Sequence, residues 1–267
     1  MRMKNRTFGP RVCIAVLFAA AMLNGSTLTK DFQKTLPLEP NRSVTVRNTN
    51  GFIEARAWDK DSLALRAEIE IRGHGEREIR RMMDRVRVKA EIVDGDAVID
   101  VEYPRSETGW SFWDWIFGRR VEVRVQLTLD LPARIRLDAK SVNGRVDVVG
   151  LSGRATLYTT NGRVSVERHS GDVHARTVNG SITVAVDDFP KGGSIDLGTT
   201  NGSIRLALQP DVQADVRAST VNGGIFTDFP VAVQGKFVSK HLNGGINGGG
   251  GSIDLKTVNG SIHIQKE

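Results

Sequence analysis

The chain has 267 residues, 39% hydrophobic and 25% charged, so it is long enough to bury a sizeable core and is neither disordered nor of low complexity. It carries 37 Lys and Arg against 31 Asp and Glu, a net +6, but four of the basic residues and none of the acidic ones lie in the first 26, which leaves the rest near +2 and gives no support to a nucleic-acid partner. The single cysteine is Cys13, so the chain beyond it has no disulfide, thiol nucleophile or cysteine metal site.

The N-terminus reads as a secretory signal peptide over residues 1–26. Arg2, Lys4, Arg6 and Arg11 form a positive region, VCIAVLFAAAML (12–23) is an apolar run, and Gly25 and Ser26 follow. The run is short for a membrane span, and an uncleaved anchor is the competing reading. Cleavage would leave no transmembrane span and place the protein in the periplasm or on the outer cell surface of a bacterium.

Residues 28–138 read as a β-rich N-terminal capping region. SVTVRNTNGFIEARAW (43–58) is an outlying copy of a motif that recurs later. Period-two alternation predicts strands at 62–72, 85–93, 96–102 and 120–130. Between them HGEREIRRMMDRV (74–86) has a helical stripe of Ile79, Met82, Met83 and Val86, with Arg80 and Arg81 on solvated surface. SETGWSFWDWIFG (106–118) holds Trp110, Phe112, Trp113, Trp115 and Phe117. It is expected to be a hydrophobic lid on the β core with one or two rings exposed; an open contact patch is the alternative.

Residues 139–267 are organised around Asn-Gly pairs. Counting the outlying copy, these are Asn50-Gly51, Asn143-Gly144, Asn161-Gly162, Asn179-Gly180, Asn201-Gly202, Asn222-Gly223, Asn243-Gly244 and Asn259-Gly260. From Asn143 onward the spacings are 18, 18, 22, 21, 21 and 16. Three residues after each Asn stands Ile53, Val146, Val164, Ile182, Ile204, Ile225, Ile246 or Ile262. Polar and apolar residues alternate on both sides, so each unit is strand, corner, strand. Two residues before the Asn, Thr159, Thr177, Thr199, Thr220 and Thr257 recur. A simple hairpin does not require that residue, whereas a stacked corner does. Ser152-Gly153 and Ser170-Gly171 bisect two of the intervals, giving about nine residues per strand and corner.

The expected fold is all-β: a two-sheet β-solenoid, a β-helix-like stack of short strands, with a β-sandwich of hairpins as the alternative. DFPKGG (188–193), QPD (209–211) and DFPVAVQG (228–235) are insertions in the longer units. HLNGGINGGGGSIDL (241–255) reads as a poorly packed turn, and IHIQKE (262–267) as a charged tail that blunts a sheet edge. Positive φ is expected at the corner glycines, Gly180 among them, and Ile182 and Ile204 are expected to share one dry interior.

SVNGRVDV, TTNGRVSV, TVNGSITV, TTNGSIRL, TVNGGIFT and TVNGSIHI, with NTNG at 48–51 followed by Trp58, resemble the bacterial β-strand-repeat family of unknown function that carries an adhesin label. The resemblance covers roughly 40–267. It implies an exported stack of short strands and names no chemistry.

No catalytic or metal-binding pattern emerges from the residues. Asp147, Glu167, Asp172, Asp187, Asp188, Asp196 and Asp254 are scattered over outward positions, although Asp138, Asp196 and Asp254 share a column. His74, His169, His174, His241 and His263 lack metal-ligand spacing and read as surface histidines. The expected function is a non-catalytic exported scaffold or adhesin-like binding protein at the cell envelope, with no cofactor, whose partner is an unknown envelope protein or glycan. The alternative is a carbohydrate-binding or carbohydrate-processing protein on the same solenoid.

Overall fold

A computed structural model describes residues 16–18, 22–24, 27–104, 121–233 and 240–267. The aromatic stretch 106–118 lies outside the described residues, as does most of 1–26.

The elements of the first half are β1 (Val16–Phe18), β2 (Met22–Asn24), β3 (Thr27–Pro37), β4 (Ser43–Arg47), β5 (Ile53–Trp58), β6 (Ser62–Gly73), α1 (Glu76–Arg85), β7 (Arg87–Val93), β8 (Asp96–Glu102) and β9 (Val121–Pro132). The corner units follow as pairs: β10 (Arg136–Lys140) with β11 (Val146–Val149), β12 (Ala155–Tyr158) with β13 (Val164–Ser170), β14 (Val173–Asn179) with β15 (Ile182–Asp188), β16 (Ser194–Asn201) with β17 (Ile204–Leu208), and β18 (Ala214–Asn222) with β19 (Ile225–Thr227). After β20 (Val231–Val233) and β21 (His241–Ile246) the last pair is β22 (Gly251–Asn259) with β23 (Ile262–Lys266).

The fold is a two-sheet β-solenoid. One strand of each pair enters each sheet, and successive pairs stack in parallel register. The first sheet runs β1-β3-β6-β9-β5-β11-β13-β15-β17-β23-β19, and the second runs β7-β8-β4-β10-β12-β14-β16-β22-β18-β21-β20. Alternation decides which side chains lie between the sheets. SLALRAEIEIRG in β6 buries Leu63, Leu65, Ala67, Ile69 and Ile71 and turns Arg66 and Arg72 outward. Val146, Val164, Ile182, Ile204, Ile262 and Ile225 form one continuous buried column across six strands. Ile182 and Ile204 are register partners, and neither has any exposure.

The N-terminal strands extend both sheets without interruption. Strands β3, β6 and β9 form a long antiparallel meander, and β9 then passes β5 in parallel. Helix α1 buries Ile79 and Met83 against β6 and β3. Its acidic first turn and basic last turn suit the helix dipole. Strands β1 and β2, from the segment read as a signal peptide, lie antiparallel on the outer edge of β3. Cleavage at residue 26 would bare that edge.

The last units depart from chain order. The pair β22/β23 does not follow β18/β19 on the outside but sits between it and β16/β17. IHIQKE is therefore an interior strand, and the expectation that it blunts an edge is corrected. Asn243-Gly244 is likewise no corner: Asn243 lies within β21, antiparallel to Arg217 of β18. Strand β21 lines one side of β18 and β22 the other, so the chain must cross over the start of β18 between them. It does so at Asn247 (φ 48°), Gly248 (92°), Gly249 (82°) and Gly250 (159°). Four successive residues with positive φ explain the glycine run, since side chains rarely tolerate that region. The crossing is tied down by Asn247 Nδ2 donating to the carbonyls of Pro210 (3.0 Å) and Val212 (2.9 Å), and by Gly251 N–H donating to Gln213 O (3.1 Å). It is a built element rather than a poorly packed turn.

Candidate functional site

Each Thr-x-Asn-Gly corner is fastened to its neighbour by two side-chain hydrogen bonds. The threonine hydroxyl donates to the glycine carbonyl of the adjacent corner: Thr159 to Gly144, Thr177 to Gly162, Thr199 to Gly180, Thr257 to Gly202 and Thr220 to Gly260, all at 2.8–2.9 Å. These threonines are buried, so the bond answers a desolvated hydroxyl. The asparagines form an amide ladder in which Asn161 donates to Asn143, Asn179 to Asn161, Asn201 to Asn179, Asn259 to Asn201 and Asn222 to Asn259, at 2.7–2.8 Å.

The glycine has a different reason from the expected one. Gly180 does not have positive φ, which corrects that expectation. A Cβ built on it would overlap the carbonyl oxygen of Gly162, and Gly144, Gly162, Gly202, Gly260 and Gly223 each face the preceding glycine carbonyl in the same way. Glycine is required because one backbone lies directly on another.

The ladder breaks at its N-terminal end. Next to Asn50 lies the straight strand β9 rather than a further corner. Asn48 and Asn50 turn their amides onto it, donating to Val125 O (2.8 Å) and Val123 O (2.6 Å). Tyr103 braces this turn. Its hydroxyl donates to Asn48 Oδ1 at 2.7 Å, and burial pushes its pKa up to about 12. The side-chain nitrogen Nδ2 of Asn143 therefore has no hydrogen-bond partner among the described residues, unlike those of the five asparagines stacked after it.

A groove of about 460 Å³ opens at this break, lined by Asn50, Phe52, Arg124, Gln126, Asn143, Arg145 and Asn161. The guanidinium of Arg145 lies 4.2 Å from the centre of the Phe52 ring, and its Nε donates to Asp147 Oδ2 at 2.5 Å. Arg124 pairs with Glu122 at 2.9 Å. The groove thus offers planar amides, guanidinium edges and an aromatic ring, with its cations already neutralised. That set suits hydrogen bonding to a hydroxyl-rich ligand more than capture of a strong anion.

The other residues singled out in the sequence fall elsewhere. Asp196 and Asp254 are register neighbours on the outer face of the second sheet, but each is committed to a cation. Arg176 grips both oxygens of Asp196 at 2.7 Å, with His174 at 3.0 Å, and Lys256 pairs with Asp254 at 3.0 Å. His169 is not a surface histidine. It is 1% exposed, and its Nε2 lies 3.0 Å from Gly153 O. A bulge at Arg168 (φ 50°) reverses the alternation and turns His169 inward. Burial lowers its pKa, partly opposed by the carbonyls of Asp172 and Gly153. Among the described residues no group of three or more His, Cys, Asp or Glu could hold a metal ion, and no helix is long and apolar enough to cross a membrane. Sequence reasoning missed the groove because its signal is a missing corner, visible only once β9 is placed beside Asn50.

Residues 133–265 match the Toastrack DUF4097 family. Among solved structures the chain is similar to a candidate cell adhesion protein of Clostridium sporogenes, at 11% identity and a TM-score of 0.45, covering 89% of this chain and 100% of that one. It is also similar to a candidate adhesin of Bacteroides fragilis (11% identity, TM-score 0.29, 91% and 98% covered) and a candidate lipid binding protein of Parabacteroides distasonis (11%, 0.24, 91% and 98%). No curated protein matches the chain.

Proposed function

We propose that this chain, whose residues 133–265 belong to the Toastrack DUF4097 family, is a non-catalytic, adhesin-like binding scaffold exported to the bacterial envelope. The corner units form its rigid shaft. Their polar groups bond to one another and leave little for chemistry. The observation that carries the binding reading is the break in the ladder, which leaves the side-chain nitrogen of Asn143 without a partner among the described residues, at a groove of about 460 Å³.

The same groove favours a glycan over a protein as the ligand. Asn143, Asn161, Gln126 and Arg145 would bond sugar hydroxyls, and the Phe52 ring would take an apolar sugar face. Trp110, Phe112, Trp113, Trp115 and Phe117 are proposed as a further contact patch. The strand ends that flank their segment, Glu102 of β8 and Val121 of β9, border the Tyr103–Asn50 corner.

A panel of envelope polysaccharides and peptidoglycan, titrated by calorimetry against the purified protein, tests the reading. Saturable binding that falls at least tenfold in Asn143→Ala and Phe52→Ala, with thermal stability retained, is expected. Binding unaffected by both substitutions would remove the groove from the function. Fractionation of cells expressing the full chain tests export, and a purely cytoplasmic protein would refute it.

A further inference from the structure

The pair β22/β23, residues 251–266, is a coil inserted between two coils that precede it in sequence. It contributes the middle rung of each column there. Asn259 donates to Asn201 and accepts from Asn222, and Thr257 bonds Gly202 O while Thr220 bonds Gly260 O. In the core, Ile195, Ile253 and Val216 lie in register, as do Leu197, Leu255 and Ala218. All three coils carry the Thr-x-Asn-Gly corner and a β-branched residue three after its asparagine, and their second-sheet core columns are apolar, although Ala218 and Thr227 are smaller than their partners. The coils of Asn201 and Asn222 could therefore stack directly on each other and satisfy the same bonds. Closed in that way, the slot would differ from the occupied arrangement by one coil.

The slot is also selective. An incoming coil needs a threonine hydroxyl where Gly202 O waits, an asparagine that can donate on one side and accept on the other, and a glycine where any Cβ would overlap the Gly202 carbonyl. It must add β-branched or leucine side chains at the buried alternate positions. TVNGSI at 257–262 meets all of these requirements. We propose that residues 251–266 are an exchangeable coil, and that two copies of this chain assemble by each placing its own coil in the other's slot. The partner is a second copy because the slot reads the corner motif column by column. The crossing at Asn247–Gly250 is the natural hinge. It joins the coil to β21 through four residues in the left-handed region, and its anchors are a few hydrogen bonds at the margin of β18.

Arg217 of β18 and Asp254 of β22 are register partners on the outer face. In a Cys13→Ser background, Arg217→Cys on one tagged copy and Asp254→Cys on a differently tagged copy would be mixed, warmed and treated with a short bis-maleimide. A cross-linked heterodimer whose yield rises with protein concentration is expected. The double variant Arg217→Cys/Asp254→Cys, cross-linked within one chain beforehand and left without a free thiol, should no longer be captured without cross-linker through the tag of either single variant, whereas the same double variant before cross-linking should be. Absence of the heterodimer under conditions where the double variant cross-links internally in full would overturn the proposal. So would a heterodimer that still forms when the coil is locked, since it would arise from another surface.

Discussion

Asn259 donates its side-chain amide to Oδ1 of Asn201 at 2.7 Å, although 58 residues separate them in the chain. Asn222, only 21 residues beyond Asn201, lies one coil further out and reaches the ladder through Asn259 at 2.7 Å. The order of stacking is thus not the order of synthesis, and the contribution of each rung depends on its place in the stack.

An interior rung makes two amide bonds and a terminal rung one. Asn179→Ala should cost roughly 1–2 kcal/mol and Asn222→Ala about half as much, with net hydrogen bonds near 1 kcal/mol each and both sites partly solvated. Urea denaturation midpoints give the comparison. Equal losses at the two positions would show that the amides do not act as a ladder.

Gly180→Ala should cost about 1–3 kcal/mol, because the new methyl must push the Gly162 carbonyl away and spread two coils. Arg163→Gln, on an exposed side chain of the adjacent coil, should stay within about 0.5 kcal/mol. A tolerated alanine at 180 would mean that the coils can part locally without loss.

Ile182→Ala should destabilise by roughly 2–5 kcal/mol, from lost transfer energy and the cavity left between Val164 and Ile204. Thermal and chemical unfolding should agree on the loss. A change under about 1 kcal/mol would mean that the column collapses to fill the gap.

His169 gives the fold a pH dependence of defined sign. Its native pKa is lowered from 6.5 because burial disfavours the imidazolium, so below that pH the unfolded chain binds a proton that the native chain refuses. The stability contributed by neutral His169 is complete above about 6.5. It declines as the pH falls toward the native pKa, and the decline levels off below it. In His169→Gln, whose side-chain amide can still donate to Gly153 O, the slope of stability against pH just below 6.5 should flatten. An unchanged slope would assign the effect to other groups.

Gly249→Val places a β-branched residue at φ 82°, with its Cβ 2.7 Å from Asp215 Oδ1. The substitution should loosen the crossing and with it the inserted coil. Hydrogen exchange is expected to accelerate across 251–266 before it does in 173–188, and a uniform change over both segments would argue against a separable coil.

The period, the corners and the inward phase of Ile182 and Ile204 were legible in the sequence because alternation and Asn-Gly spacing are local signals. The stacking order was not. Three corners with interchangeable columns give no local reason to place Asn259 before Asn222. Asn243-Gly244 matched the motif, but His241 stands where the corners carry threonine, Ser141 or Asn48. His169 was misread because one extra residue at Arg168 reverses the period-two rule. The glycine at 180 was read for a torsion it does not adopt, since close backbone approach between coils leaves no mark in a single unit. The ladder's break depends on β9, whose straight passage beside Asn50 is a tertiary fact.

The inserted coil also sets how the molecule would carry mechanical load. A coil at the end of a stack is held along one edge, and tension can peel it off rung by rung. Residues 251–266 are held along both edges, by β16 and β17 on one side and β18 and β19 on the other. Tension directed along β22 or β23 would load both sets of backbone bonds in shear, so the bonds resist together rather than in turn. Extraction would then be governed by a rupture barrier rather than by equilibrium stability, and a tether attached through this coil would hold longest when pulled along the strands.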